Sequence, residues 1–151
     1  MNVTMLLADS AQVADGKLYI LGGGWSVVGP DPMPMAVAVK VSVDSHEFHT
    51  SHHWELFLED ADGQQVGFET ADGPHFIEVR GDFSASTPAD VPVGTPVEVP
   101  IAVNFGPIPL VDNSRYTWRV VIDGETLPGA LVSFTTRPAR VDVDEESDQG
   151  L

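Results

Sequence analysis

The feature that most constrains this chain is a strict alternation of apolar residues with small or polar ones. From Met35 to Val43 every odd position is Met or Val, and the even positions hold Ala, Lys and Ser. A period of two residues places one face of an extended strand against a core. Four further segments alternate in the same way: 54–59, 77–83, 97–105 and 116–123. Because no window keeps apolar residues at helical spacing, the sequence predicts an all-β fold.

Turn signals separate these segments. Asp15-Gly16, Asp62-Gly63 and Asp123-Gly124 lie between apolar runs, and Asp-Gly favours a tight hairpin because glycine accepts a positive φ. Proline-rich connections at 30–34 and 88–96 indicate extended loops. A last strand is expected around 131–136. The count is about eight or nine short strands, which is typical of an antiparallel β-sandwich.

A tyrosine narrows the type of sandwich. Tyr116 opens an alternating strand directly after the polar turn at 111–115. In immunoglobulin-like sandwiches a tyrosine in this position hydrogen-bonds back to the chain a few residues upstream. The sequence therefore favours an immunoglobulin-like fold, and an ordinary strand-opening tyrosine in another β topology is the alternative.

Charge limits the classes of partner. The 151 residues include 7 basic and 23 acidic side chains, a formal net charge of −16. A surface with so few cations is unsuited to a phosphate backbone or an anionic membrane, so we expect neither nucleic acid nor membrane as a partner. The chain has no cysteine, which excludes disulfides and thiol chemistry and favours a reducing compartment.

The ends of the chain differ from its middle. The first seven residues lack the basic region and the long apolar run of a signal peptide, and we expect a cytoplasmic protein. Past Pro138 the composition becomes acidic, with five acids and no base between Val141 and Leu151. We therefore predict one sandwich domain over 1–138 and a short acidic tail over 139–151.

Histidines form the one cluster with metal-ligating chemistry. Four of them lie within eight positions: His46, His49, His52 and His53. Two carboxylates, Asp44 and Glu47, lie beside them. Imidazole and carboxylate ligands suit zinc, copper or nickel. The spacing matches no known metal motif, and the stretch 44–53 is expected to be a loop between strands. A polar surface loop without metal is the favoured interpretation.

Several apolar side chains fall where the alternation predicts solvent. They are Tyr19, Phe57, Phe76 and Val121. Tyr19 belongs to this set because Leu18 and Ile20 are expected to form the inward pair of their strand. Exposed apolar residues grouped on one sheet indicate an interface, so these four are candidate partner-binding residues. Pro100 has the opposite effect, since a proline cannot donate to a neighbouring strand and blunts a sheet edge.

Five segments of the chain carry a resemblance to known sequences: 6–13, 16–25, 96–104, 105–110 and 115–118. On these segments the chain resembles a family of small bacterial proteins, common in actinobacteria, that has no assigned function. The resemblance covers almost all of the chain short of the tail. Its most specific part is Gly22-Gly23-Gly24-Trp25. The resemblance implies a compact cytoplasmic β-sandwich with no known activity, and it assigns no functional residues.

These observations favour a non-enzymatic module that binds protein, either a second copy as a homodimer or another partner. No catalytic constellation and no cofactor-binding motif is visible. The alternative is a protein that binds a metal or small ligand through the histidine-rich stretch 44–53. An enzyme is the least favoured class.

Overall fold

The structure, a computed structural model, describes residues 1–141 and shows an all-β protein. It contains eleven strands and, between the fourth and fifth, a single 3-10 turn at Ser45–Glu47. No α-helix occurs within residues 1–141. The strands are β1 Asn2–Ala14, β2 Lys17–Gly23, β3 Val27–Val28, β4 Met35–Val43, β5 His52–Glu59, β6 Gly67–Thr70, β7 Gly73–Phe76, β8 Glu78–Phe83, β9 Val97–Phe105, β10 Arg115–Ile122 and β11 Leu131–Thr136.

Two main sheets enclose one core. The first has four strands in the order β2-β1-β4-β9, and the second has five in the order β3-β11-β10-β5-β8. The inward side chains of both sheets form a single apolar cluster, in which Trp118 of β10 is fully buried. Its indole stacks on the ring of Phe105 from β9, with centroids 4.6 Å apart. The arrangement is therefore sandwich-like, as the alternation predicted.

The strands predicted from the alternation are confirmed. The structure bounds β4 at Met35–Val43 and β9 at Val97–Phe105, which are the residues whose alternation carried the prediction. The count of eight or nine was too low. The additional strands are short or exposed on both faces. They are β3, which has two residues, and the separate two-stranded sheet of β6 and β7. Such strands leave no period-two signal.

The first sheet curls, and this corrects one prediction. Residues 2–8 of β1 pair with β4, whereas residues 8–14 pair with β2 and turn over the outer face of the sheet. The covered face is lined by small side chains, and Ala36 and Ala38 are fully or almost fully buried there. The segment 35–39 of β4 is therefore buried on both faces, although the alternation predicted one solvent face; further along the strand, Lys40 is exposed as predicted.

A side-chain amide holds the curled part in place. Asn104 of β9 accepts a hydrogen bond from the Ala11 N–H at 3.1 Å and donates one to the Ala11 carbonyl at 2.7 Å. The amide thus replaces the peptide group of a neighbouring strand. Below, "the ribbon" denotes this hairpin of residues 9–23.

The contact expected of Tyr116 is present. The Val111 N–H donates a 2.9 Å hydrogen bond to the Tyr116 hydroxyl, five residues downstream. The predicted turns also form: Asp15 and Gly16 have φ of 52° and 70°, and Asp123 and Gly124 have φ of 51° and 81°. The predicted acidic tail lies outside the described residues from position 142 onward.

Candidate interaction surface

The four histidines do not converge on one point. His52 and His53 lie within β5, not in a loop, because β5 extends its pairing with β8 as far as His52 opposite Phe83. Neighbouring residues of a strand point to opposite faces. His52 is accordingly buried, with 6% of its surface exposed, while His53 is exposed.

His52 forms a closed hydrogen-bonded unit. Its Nδ1 lies 2.7 Å from Asp123 Oδ2, and its Nε2 lies 3.0 Å from the Glu47 carbonyl oxygen. Both partners are acceptors, so the geometry favours a ring that donates from both nitrogens. The Glu47 carbonyl and then the Asp123 carboxylate raise the pKa of His52 above its usual value. The same contact lowers the pKa of Asp123, which also accepts from the His53 N–H.

The other predicted ligands have separate partners. His53 Nδ1 lies 2.9 Å from Asp82 Oδ1, and this carboxylate raises the pKa of His53. His49 Nε2 lies 3.0 Å from Thr87 Oγ1. Only His46 joins acidic side chains in a group of three potential ligands within residues 1–141. Its ligand atom lies within 4.8 Å of those of Asp44 and Glu47.

The Met1 ammonium group contacts the same carboxylates. It lies 3.0 Å from Asp44 Oδ2 and 3.1 Å from Glu47 Oε1. The hydrogen bond to Asp44, followed by that to Glu47, raises the pKa of the amine. The two carboxylates therefore already bind one cationic group.

The four predicted partner-binding residues lie on three different surfaces. Phe57 and Val121 share the outer face of the five-stranded sheet, and both are partly buried. Phe76 is 49% exposed and lies on β7, where its ring covers Gly67 of β6. Tyr19 is 49% exposed and lies on β2, at the edge of the other sheet. They do not form one patch.

The strand that carries Tyr19 has a larger apolar surface than the sequence indicated. Ile20 is 40% exposed and Leu21 is 70% exposed. Ile20 is opposite the buried Ala11 and shares a face with Leu18, so it lies on the covered face as predicted, but it is not buried there. Leu18 is half buried against the alanines beneath the ribbon. Side chains on both faces of β2 are thus open to solvent, because the strand lies at the margin of the curled sheet. The uninterrupted run Leu18-Tyr19-Ile20-Leu21 was the signal available in the sequence.

The free edge of β2 lacks the protection that the other main-sheet edges carry. The edge strand β9 has Pro100 at its centre, and the edge strand β8 has a charged residue at every second position. The last edge, β3, has two residues. Proline, charge and shortness each prevent a sheet edge from pairing with another strand. By contrast β2 has no proline, and no residue from Leu18 to Gly23 is charged.

The hydrogen-bonding direction of β2 follows from its pairing with β1. Ala11 is opposite Ile20 in the register, yet the N–H and carbonyl of Ala11 are bound by Asn104. Ala11 and Ile20 therefore form a non-hydrogen-bonded pair of the antiparallel ladder, and the N–H and carbonyl of Ile20 point away from β1. Those of Leu18, two residues earlier, point the same way. The two-residue turn at Asp15-Gly16 leads to the same alternation of hydrogen-bonded and non-hydrogen-bonded pairs along β1 and β2.

These features define an all-β, sandwich-like protein with one long unprotected sheet edge. Comparison with known proteins adds its family: a family model described as "Family of unknown function (DUF6941)" matches residues 3–131. The chain belongs to this family. No curated protein and no solved structure matches it. Within residues 1–141 no helix has the length and apolar character needed to cross a membrane.

Proposed function

We propose that this protein is a non-enzymatic binding module that docks an extended protein strand at the edge of β2. The observation that carries the proposal is the pair of outward-pointing backbone units at Leu18 and Ile20. Their N–H and carbonyl groups are not used by β1, and an added strand pairs with such groups along an exposed edge. The half-exposed side chains of Tyr19 and Ile20 then pack against the residues of the added strand.

The arrangement of the ribbon supports this function. Asn104 binds the far side of β1, so the edge of β2 is presented on a strand that is itself fixed to the sheet. A docking edge held in place needs less ordering when the partner binds, and less of the interaction free energy is lost. The remaining edges of both main sheets carry a protective feature, so β2 is the edge we assign to binding.

We further propose that the sandwich is of the immunoglobulin type. With β1, β4 and β9 as strands A, B and E, and β5, β10 and β11 as C, F and G, the sheets correspond to those of that fold. The hydrogen bond between Val111 and Tyr116 supports the same assignment. We place the protein in the cytoplasm, where a chain without cysteine is at no disadvantage.

The experiment that tests the docking function follows the backbone amides of Leu18 and Ile20 by NMR. The probe is a synthetic peptide of about eight residues rich in Val and Thr, a length typical of a strand. We expect the two amides to become protected from hydrogen exchange when the peptide is added. The Tyr19 amide, which faces β1, is expected to be protected with and without peptide.

An Ile20→Pro variant provides the matched test. It removes an outward N–H and leaves the hydrogen bonds to β1 intact, because a proline is accepted on an edge strand where its nitrogen faces solvent. We expect the variant to fold and to lose peptide binding, while Ile20→Ala keeps the N–H and retains part of it. Peptide binding that is unchanged in Ile20→Pro would contradict the proposal.

Metal binding is a second candidate function, and the group of Asp44, His46 and Glu47 is the observation that favours it. One imidazole and two carboxylates are a set of ligands that zinc accepts, and the ion would displace the Met1 ammonium group from the two carboxylates. Calorimetric titration with Zn²⁺ tests it: we expect His46→Ala to abolish binding and His53→Ala to leave it unchanged. Equal binding by both variants would exclude this group as the site.

A further inference from the structure

We propose that the strand docked by β2 is β2 of a second copy of this chain, antiparallel to the first, with Tyr19 on the two-fold axis. This inference rests on the proposed function, because it needs the edge of β2 to accept a strand. It adds the identity of the partner and the register of the pairing.

The length of regular strand determines the register. Gly22 has φ of +60°, which interrupts the extended conformation of β2 before its last residue, so the regular pairing segment is 17–21 and its centre is Tyr19. The outward-pointing residues Leu18 and Ile20 lie symmetrically on either side of that centre. In an antiparallel dimer Leu18 pairs with Ile20 of the partner subunit, and Ile20 pairs with Leu18 of the partner subunit. Each is a hydrogen-bonded pair that exchanges two bonds.

The central pair is of the other kind. Tyr19 is opposite Tyr19 of the partner subunit in a non-hydrogen-bonded pair, where Cα atoms are about 4.5 Å apart and side chains are closest. Cross-strand aromatic pairs in this position stabilise a sheet. The phenol ring, which is 49% exposed in the single chain, then acquires a second aromatic ring as its neighbour.

Charge favours a second copy at this edge. Two chains of net charge −16 repel one another over most of their surfaces, whereas the stretch from Leu18 to Trp25 is uncharged. Four of the seven basic side chains pair with carboxylates within residues 1–141, and Lys17 is not among them. In the proposed register Lys17 is opposite Leu21 of the partner subunit.

An acidic side chain from β1 lies beside the residue that follows Leu21. The carboxylate of Asp9 lies against Gly22 so closely that a Cβ on this glycine would overlap it. The proposed register brings Lys17 of each subunit to the end of the strand beside which the partner's Asp9 lies, and the two-fold axis repeats this arrangement. The strand thus has at one end a cation that pairs with no carboxylate within residues 1–141, and an anion on β1 beside its other end, which is the charge pattern an antiparallel copy complements.

The assembly is expected to close at two subunits. A two-fold contact uses the same edge on both chains, and the other main-sheet edges are protected. A contact of five residues on each side falls in the small class of interfaces, below about 1,200 Å². We therefore expect a dimer that dissociates on dilution.

Disulfide cross-linking tests the register, and the absence of cysteine from the chain makes each single substitution unambiguous. Tyr19→Cys places two thiols across the axis at a Cα separation within the range that a disulfide spans. Leu21→Cys is the control: Leu21 is more exposed than Tyr19, yet the register separates its two copies by four residues, or roughly 13 Å of strand. We expect mild oxidation to convert Tyr19→Cys to a covalent dimer at least ten times faster than Leu21→Cys.

Two results would overturn the inference. Equal rates for the two variants would show random collision. A cross-link in Tyr19→Cys that survives the added substitution Ile20→Pro would show contact without strand pairing. If Tyr19→Cys does not cross-link although the peptide still protects Leu18 and Ile20, the second copy is the wrong partner and the docking function stands. If neither occurs, both proposals are wrong.

Discussion

The side chain of Asn104 is predicted to contribute a measurable part of the stability, because its two hydrogen bonds tie the middle of the ribbon to β9. Asn104→Ala removes two hydrogen bonds and leaves the N–H and carbonyl of Ala11 without partners. A neutral hydrogen bond contributes about 1 kcal/mol net, and a buried group left unsatisfied costs about 1–3 kcal/mol. Water reaches this partly buried site in the variant, so we take the lower part of the range and expect a loss of about 2 kcal/mol.

The assay is urea unfolding followed by tryptophan fluorescence, together with hydrogen exchange of the Ala11 amide. We expect a lower midpoint with an unchanged m value, since the surface exposed on unfolding stays the same, and faster exchange at Ala11. Asn2→Ala is the matched control. Asn2 is exposed on β1, the strand that contains Ala11, and its side chain makes no hydrogen bond within residues 1–141. If Asn104→Ala changes neither the midpoint nor the exchange rate more than Asn2→Ala, the amide does not hold the ribbon.

Two further predictions concern a titrating pair and a close approach. Because the pKa of His52 is raised in the folded protein, its contribution to stability is complete below the usual value of 6.5 and disappears as the pH rises through the folded pKa. An NMR titration of His52 should show that Asp123→Asn lowers this pKa. A titration midpoint that is the same in the variant would contradict the role given to Asp123. Gly129→Ala should destabilise by at least about 1 kcal/mol more than Gly124→Ala. Both glycines have φ near +80°, but only at Gly129 does an added Cβ overlap the Val3 carbonyl; equal losses in urea unfolding would refute this.

The strands of the core could be predicted from the sequence because the large apolar side chains that face the sandwich core alternate with small or polar ones. Met35 to Val43 and Val97 to Phe105 show the alternation that such burial imposes, and their observed bounds are those of the pattern. The contact of Tyr116 could be predicted for a similar reason. Its partner lies five residues away, so the hydrogen bond depends on local geometry.

The curling of the first sheet could not be predicted, because it depends on a contact between residues far apart in the chain. Asn104 and Ala11 are separated by 93 residues, and nothing in the local pattern of either indicates that one binds the other. The same contact holds the ribbon over the outer face of the sheet and leaves β2 at the margin of that sheet. The interaction edge is therefore a product of tertiary structure.

The histidine cluster shows the converse error, because side chains that are close in the sequence do not come together in the structure. The pleat of β5 sends the side chains of His52 and His53 to different faces. Each then binds the nearest carboxylate, Asp123 for the first and Asp82 for the second. These two acids come from distant strands or turns, so the sequence did not identify them as partners.

The most direct measurement for the account as a whole is hydrogen exchange of three consecutive amides, Leu18, Tyr19 and Ile20, at low and at high protein concentration. The Tyr19 N–H faces β1 and should be protected at both concentrations. The amides of Leu18 and Ile20 should exchange freely in the dilute monomer and become protected as the dimer forms. Protection of all three that is independent of concentration, or none at Leu18 and Ile20 at any concentration, would contradict self-pairing through β2.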